Sequence, residues 1–436
     1  MSNDVVQNII HFVVTFIFSV FFVMTAASLG VWGERKVQAW AQDRWGPLHY
    51  GPQGLLNAIL DPMKLLLKED VKARGIDNVL FRVAPIVFFA PVVAAFVILP
   101  FSPYMTAAAL GTGIIYYVAL SSLDIIGVFM AGWGSNNKYA LIGGLRSTAQ
   151  MISYELPLVL SLVGVVMLTS VVAPGCIGAH ADIGSCGVGS ISFTQIIAAQ
   201  MRPSSPWLWF FILQPLGLFV YYICGLAETN RTPFDLPEAE SELVAGYLTE
   251  YSGLRWAMFM LGEYGNMTIV SAVATALFLG GWSGPGAAVG FWSGHLGHFW
   301  GGVVFNVIGV FWFLVKMIFT IFIYMLVRAT LPRLRADQLM RFAWLFLIPL
   351  TLLNILLTGA VLLIPVDSGL RLLFAGVTNW ILLAIVIFGF RRITGVSLTG
   401  KTPRWVRRQV AASAASKPAT GKPATTPELA GSGTPR

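Results

Sequence analysis

At 436 residues, 56% of them hydrophobic and only 11% charged, the chain has a mean hydropathy of +0.74, outside the range of soluble globular domains. Its formal charge of +8 comes from basic residues that flank apolar runs and form no separate basic domain, which argues against a nucleic-acid partner. The three cysteines and five histidines make no CxxC or comparable cluster, so neither an iron–sulfur centre nor a structural zinc is expected.

Nine apolar runs reach membrane-spanning length, about 20 residues at about 1.5 Å rise each. They cover 8–32, 82–101, 113–132, 156–173, 207–226, 265–282, 302–327, 342–364 and 372–390. The first is too long for a secretory signal and is followed by no small-residue cleavage site, so it reads as retained. The expected fold class is an all-α polytopic membrane protein with about nine transmembrane helices over residues 1–390.

The first long loop reads "GERKVQAWAQDRWGPLHYGPQGLLNAILDPMKLLLKEDVKARG". Gly46-Pro47 and Gly54 are turn chemistry. From 54 to 69 the pattern is amphipathic: Leu55, Leu56, Ile59, Leu60, Met63, Leu66 and Leu67 share one face, with Asn57, Asp61, Lys64 and Lys68 on the other. Such a helix lies in the plane of the membrane interface. Pro62 predicts a kink, or a helix that starts there.

The loop 174–206 is rich in Gly, Ser and Pro, and holds Cys176 and Cys186. A disulfide between them is permitted on the outer side, and the pattern leaves the matter open. His295 and His298 stand three apart in a Gly/Trp-rich stretch, a setting more typical of a membrane interface than of metal ligands. After Arg408 comes "AASAASKPATGKPATTPELAGSGTPR", so residues 391–436 are expected to be a basic, Pro/Ala-rich disordered tail. No internal repeat is visible, unlike many secondary transporters.

Lysine and arginine set the orientation. Loops 33–82, 134–150, 227–264, 328–341 and the tail after 390 hold 25 of the 28 basic residues. This places the N-terminus outside and the basic loops and C-terminus in the cytoplasm.

The scarce acids are gathered in "LAETNRTPFDLPEAESELVAGYLTEYSG", six carboxylates from Glu228 to Glu250 around a single Arg231. Helix capping accounts for part of this: Thr232-Pro233-Phe234-Asp235 fits an N-cap with proline at N1, and Asp235-Leu236-Pro237-Glu238 fits equally. A solvated helix face is the ordinary reading of Glu238, Glu240 and Glu242. Yet Glu238 and Glu242 stand four apart, where like charges repel. Such a cluster either finds basic partners, available in Arg35, Lys36, Arg44, Lys64 and Lys68, or shares protons. The simplest assembly folds the two inner loops over one another.

Charges at the spans extend the pattern: Asp124, Glu155, Glu228, Glu263 and Lys316. An unpaired charge at the bilayer centre costs at least about 2.5 kcal/mol, and such residues mark ion or proton routes. A snorkelling end charge is a fair account of Glu263 and a poor one of Asp124 and Lys316.

Four blocks carry a resemblance: "GERKVQAWAQDRWGP…GPQGLLNAILDPMKLLLKED", "AGWGSNNKYALIGGLRSTAQMISYE", "LAETNRTPFDLPEAESELVAGYLTEYSG" and "RATLPRLRADQLM". In order and over roughly residues 8–390, the chain closely resembles the H-subunit family of proton-pumping NADH:quinone oxidoreductase, respiratory complex I, whose mitochondrial counterpart is NADH dehydrogenase subunit 1. The resemblance implies a subunit of the bacterial inner membrane that anchors the peripheral arm and lines the quinone tunnel. Its implied partners are the other membrane and peripheral-arm subunits, membrane lipids and an isoprenoid quinone, ubiquinone or menaquinone, as substrate. Flavin and iron–sulfur clusters would reside in partner subunits, with no redox centre or covalent cofactor here.

Matching motif by motif, the resemblance puts the quinone tunnel on Glu34, Arg35, Lys36, Gln42, Arg44, Asp61, Lys64, Arg231 and Phe234. It puts the proton-coupling path on Glu155, Glu228, Glu238, Glu240, Glu242 and Glu263. Arg333, Arg335 and Asp337 suit pairing within or between subunits better than chemistry. Two features depart from the family pattern: Asp124, where a small or neutral residue is expected, and the ninth span with its tail, beyond the eight-span core. A membrane subunit of energy-converting hydrogenases is the nearest alternative, though its relatives match the acidic block more loosely. A stand-alone ion transporter would need the buried charges but not the two long amphipathic loops.

Overall fold

The computed structural model describes residues 3–103, 105–106, 108, 110–172, 189–201, 209–236, 244–284, 289–365 and 368–394; the side chains of 3–12, 15, 289–300, 368 and 389–394 stand outside that description. Two units are distinguished, Met1–Trp380 and Ile381–Arg436, and the first carries every site discussed below. Cys176, Cys186, Glu238, Glu240, Glu242, the side chains of His295 and His298, and the tail from 395 all lie outside the described residues.

The described residues are helical, with a lone bridge between Ser102 and Met105. In chain order the helices are α1 (Asn3–Ala41), α2 (Asn57–Leu67), α3 (Asn78–Phe96), α4 (Gly113–Gly134), α5 (Lys138–Val172), α6 (Phe193–Gln200), α7 (Phe210–Leu213), α8 (Pro215–Glu228), α9 (Gly253–Phe278), α10 (Val289–Thr330), α11 (Ala336–Phe342), α12 (Ile348–Leu362) and α13 (Ser368–Thr394). Among the described residues, seven helical segments are long and apolar enough to cross a membrane: Phe16–Ala41, Asn78–Phe96, Gly113–Gly134, Lys138–Val171, Gly301–Thr330, Ala336–Leu362 and Gly369–Phe388. The chain is a multi-pass helical membrane protein. Large apolar side chains face outward along it, Ile17 and Phe21 on α1 and Ile318 and Phe319 on α10 among them, as a lipid solvent demands.

Two of the nine expected spans differ, each for a physical reason. The run 207–226 is not one helix. Gln214 is non-helical (φ −137, ψ 61) and separates α7 from α8, because Pro215 disfavours a helical residue before it. What remains, the 14 residues of α8, reaches only about 21 Å at 1.5 Å per residue, short of the roughly 30 Å hydrocarbon core. The run 265–282 is the second half of the longer α9, which starts at Gly253. This helix is not among the seven because it is built for helix contact rather than lipid. From Met267 to Phe278 every residue is buried, and Gly262, Gly265, Ser271, Ala272, Ala274, Thr275 and Ala276 keep its surface small. Such residues let neighbouring backbones come close, and α1, α3, α8 and α10 pack around it.

The expected inner loop 134–150 is mostly helix. α4 and α5 are separated only by 135–137, where Asn136 takes φ 46 and its amide donates to the Gly75 carbonyl at 2.9 Å. The amphipathic segment forms α2, which begins at Asn57 and runs through Pro62. The helix therefore does not start at that proline. Its apolar face, including Ile59, Met63, Leu66 and Leu67, is exposed. Gly54 holds the turn before it at φ +74, and a Cβ there would lie 2.6 Å from the Pro47 carbonyl oxygen.

Phe81, Phe88, Val128, Met151, Tyr247, Tyr251 and Phe259 form a buried core. Phe81 stacks on Tyr251 with ring centroids 4.1 Å apart. The segment after 244 lies flush against α5: a Cβ on Gly143 would come 2.6 Å from Gly246 Cα.

Candidate functional site

Six charged or aromatic side chains from five segments of the chain form one linkage. Glu34, near the end of α1, pairs with Arg328 at the end of α10. The same carboxylate accepts from Gln38 at 3.0 Å and from the Tyr264 hydroxyl at 2.9 Å. The guanidinium of Arg231, just past α8, lies over the Tyr264 ring at 4.3 Å and pairs with Glu263 at 3.3 Å. Tyr247 completes the series by donating to Glu263 at 2.9 Å. Glu34, Arg231 and Glu263 are all buried.

The charges balance, Glu34 and Glu263 against Arg231 and Arg328. Balance is what makes burial tolerable, since an ion deprived of its partner inside a protein is strongly destabilising. Charge-assisted hydrogen bonds and the ring quadrupole supply what water would otherwise give.

The turn at 231–236 is tied down from three sides. The Phe234 amide donates to the Arg231 carbonyl at 2.8 Å and the Leu334 amide to the Pro233 carbonyl at 3.1 Å. Gln150 of α5, fully buried, donates to the Ala227 carbonyl at 2.7 Å and also to that of Phe234. The ring of Phe234 packs 5.5 Å from that of Tyr154. Thr232 is thus not a helix N-cap, contrary to the sequence expectation. Its neighbour Asp235 is drawn to Arg333 at 2.7 Å, and the backbone is committed to these turn contacts. Arg333 therefore pairs within the chain.

The residues expected to line a quinone tunnel fall into two groups. Glu34, Arg231 and Phe234 are buried at the linkage, and Lys36 is buried on α1. The others stand at the surface as pairs: Arg35 with Asp61 at 2.7 Å, and Arg44 donating to Gln42 at 2.6 Å. Lys64 is exposed on α2. The expectation that these bases answer the acidic cluster falls on Glu238, Glu240 and Glu242, which lie outside the described residues. Arg35 pairs within its own loop, Glu263 is answered by Arg231, and Asp235 by Arg333. The two loops do meet, but with the charges reversed. Asp70 of the first pairs with Arg255 of the second at 3.1 Å, and the Val71 amide donates to Ser252 Oγ at 2.9 Å.

Of the expected proton-path residues, Glu228 and Glu263 are buried. Glu155 on α5 accepts from Ser122 of α4. Glu263 is no snorkelling end charge, since it sits inside the linkage. Asp124 accepts from Asn266 of α9 at 2.7 Å. Asn266 follows Glu263 by three positions, which puts both on one face of α9.

Lys316, a route marker in the sequence reading, is held by backbone carbonyls and a ring. Its ammonium donates to the carbonyls of Leu279 at 2.6 Å and Gly281 at 3.1 Å and to that of Ser283, and it stands 4.3 Å from the Trp209 ring. These carbonyls follow the last turn of α9, so the charge caps the negative end of that helix.

Tyr264, Tyr247, Arg328 and Gln150 were not picked out by sequence reasoning. Tyr264 adjoins Glu263 and was legible as a donor. Arg328 looked like one more topological charge at a span end. Among the described residues no group of three or more His, Cys, Asp or Glu could hold a metal ion.

Comparison with known proteins agrees with this architecture. Residues 13–359 match the family described as NADH dehydrogenase. Over 378 residues, the chain is 43% identical to the H subunit of the NADH-quinone oxidoreductase of Dehalococcoides mccartyi, covering 87% of this chain and 94% of that one. It is 45% identical to the corresponding H subunit of Brevibacillus brevis over 78% and 89% of the two chains. With that of Geobacillus kaustophilus the identity is 44%, over 78% and 90%.

Proposed function

The chain belongs to the NADH dehydrogenase family as a membrane subunit of an NADH-quinone oxidoreductase, and we propose that it admits quinone from the bilayer and couples its reduction to proton movement. The observation that carries this reading is the linkage Arg328–Glu34–Tyr264–Arg231–Glu263, a charge-balanced path from near the end of α1 into the centre of α9.

Quinone reduction consumes protons and creates negative charge while they arrive. Negative charge arising beside Arg231 competes with Glu263 for the guanidinium. Separating a buried pair costs about 3–5 kcal/mol, because it strands a charge. Taking up a proton at Glu263 removes that charge and offsets the cost. Reduction near the 231–236 turn is thereby linked to protonation inside α9, and Glu228 at the end of α8 and Asp124 on α4 continue the series of buried acids. The exposed apolar face of α2 and the surface pairs Arg35–Asp61 and Arg44–Gln42 suit the mouth of the route, where an isoprenoid tail leaves the lipid. The excess of Lys and Arg in these loops supports a mouth on the cytoplasmic side of the bacterial inner membrane, with other subunits of the complex covering the acidic loop. The relatives' names favour this reading over the hydrogenase and stand-alone transporter alternatives.

A photoreactive quinone analogue tests the route. In the assembled complex, inhibitor-protected label should map to peptides spanning 34–68 and 228–236. Protected label confined to other parts of the chain contradicts the proposal.

A further inference from the structure

Helices α3, α4, α8 and α9 border a cavity of about 10 Å³, with Tyr117, Ser121, Asp124, Glu228 and Asn266 on its polar side and Pro91, Val92 and Ala95 of α3 on its apolar side. That is room for about one water molecule. Two of its walls are carboxyl groups, Asp124 and Glu228, with only 3% and 7% of their surface exposed. Asn266 satisfies one oxygen of Asp124. Asp124 Oδ1 and Glu228 Oε2 have no hydrogen-bond partner among the described residues, and neither residue forms an ion pair there. The tyrosine hydroxyls alongside are turned to other partners: that of Tyr117 lies 3.5 Å from that of Tyr221, which donates to the Val270 carbonyl at 3.1 Å.

We propose that Asp124 and Glu228 are a water-bridged carboxyl pair sharing one proton, which makes Asp124 a proton-holding member of the path to which Glu228 belongs. Two ionised carboxylates without a cation are far too costly in such a place, and two protonated ones would leave nothing to receive a proton. One proton with one water satisfies both orphaned oxygens. In transfer, the O–H bond at Asp124 breaks as its proton passes to the water, and the water gives a proton to Glu228 Oε2. The negative charge moves the other way, and no electron is exchanged. Asn266 holds Asp124 in place from α9, the helix that carries Glu263. The proposal rests on the proton-path reading above and adds a residue to it.

The test uses the whole complex in native membranes, with assembly read on a native gel. Electron input is read as NADH oxidation by an artificial acceptor, and pumping as protons moved per electron delivered to quinone. Asp124→Asn should assemble and accept electrons normally but lose most of its pumping, as expected when a proton-transfer group is removed. Glu228→Gln should lose it similarly. Asp124→Glu, and the exchange variant Asp124→Asn with Asn266→Asp, keep a carboxyl at the cavity and should recover most of the pumping; a purely structural role predicts no such recovery. If Asp124→Asn pumps normally while Glu228→Gln does not, Asp124 is no part of the path and this inference falls alone. If both pump normally, the proton-path reading falls as well. If Asp124→Asn does not assemble, the two carboxyl-retaining variants decide, and an assembled one that does not pump overturns the inference.

Discussion

The guanidinium of Arg231 lies 4.3 Å from the centre of the Tyr264 ring, and this contact joins two ion pairs that sequence places far apart. On one side the Tyr264 hydroxyl reaches Glu34, and on the other Arg231 reaches Glu263. A phenol thus serves as ring for one charge and donor for the other.

Replacing Arg231 by Gln strands the buried Glu263 carboxylate, a loss of about 3–5 kcal/mol. The yield and melting temperature of the assembled complex should fall. Adding Glu263→Gln to the same chain should restore assembly in part, because no buried charge is then left alone. Arg231→Lys should not rescue, since a point charge cannot both pair with the carboxylate and lie flat over the ring.

Tyr264→Phe keeps the ring under Arg231 and removes only the donor to Glu34. The expected cost is about 1–3 kcal/mol for the lost hydrogen bond, with Arg328 and Gln38 still holding Glu34. Tyr264→Leu removes ring and donor together and should lower melting temperature and quinone turnover further. Equal behaviour of the two variants would contradict the dual role.

Lys316→Met tests whether the buried lysine caps a helix or carries protons. A cap predicts a less stable complex, by roughly 1–3 kcal/mol for the carbonyls left unsatisfied. In whatever fraction assembles, protons pumped per electron should be unchanged. A normal melting temperature with lost pumping would return Lys316 to the proton route.

How far the sequence leads depends on which solvent a segment meets. Spans facing lipid are legible because hydrocarbon demands unbroken apolar runs, and α1, α3, α4, α10 and the α11–α12 segment all follow that rule. α9 is the opposite case: walled by other helices, it carries Glu263, Asn266 and many small residues, and hydropathy understates it. The break at Gln214 follows from Pro215 yet is hidden inside an apolar run. Among site residues, Glu34, Arg231 and Glu263 stand out as charges in a chain that has few. Their partners do not, because Arg328 and Tyr264 reach them only through tertiary packing. The pairing of loop charges was not legible at all. It turns on Asp70 and Arg255, residues of the opposite sign from those the overall loop charges suggest.

The most direct test of the coupling claim is Glu263→Gln, with assembly confirmed and protons pumped per electron measured during inhibitor-sensitive quinone reduction. The account predicts an assembled complex that has lost most of its pumping, as expected on removing a proton-transfer group. An assembled complex with pumping and turnover at the level of the unaltered protein would contradict it, leaving Arg231–Glu263 as a fastening between α9 and the loop after α8.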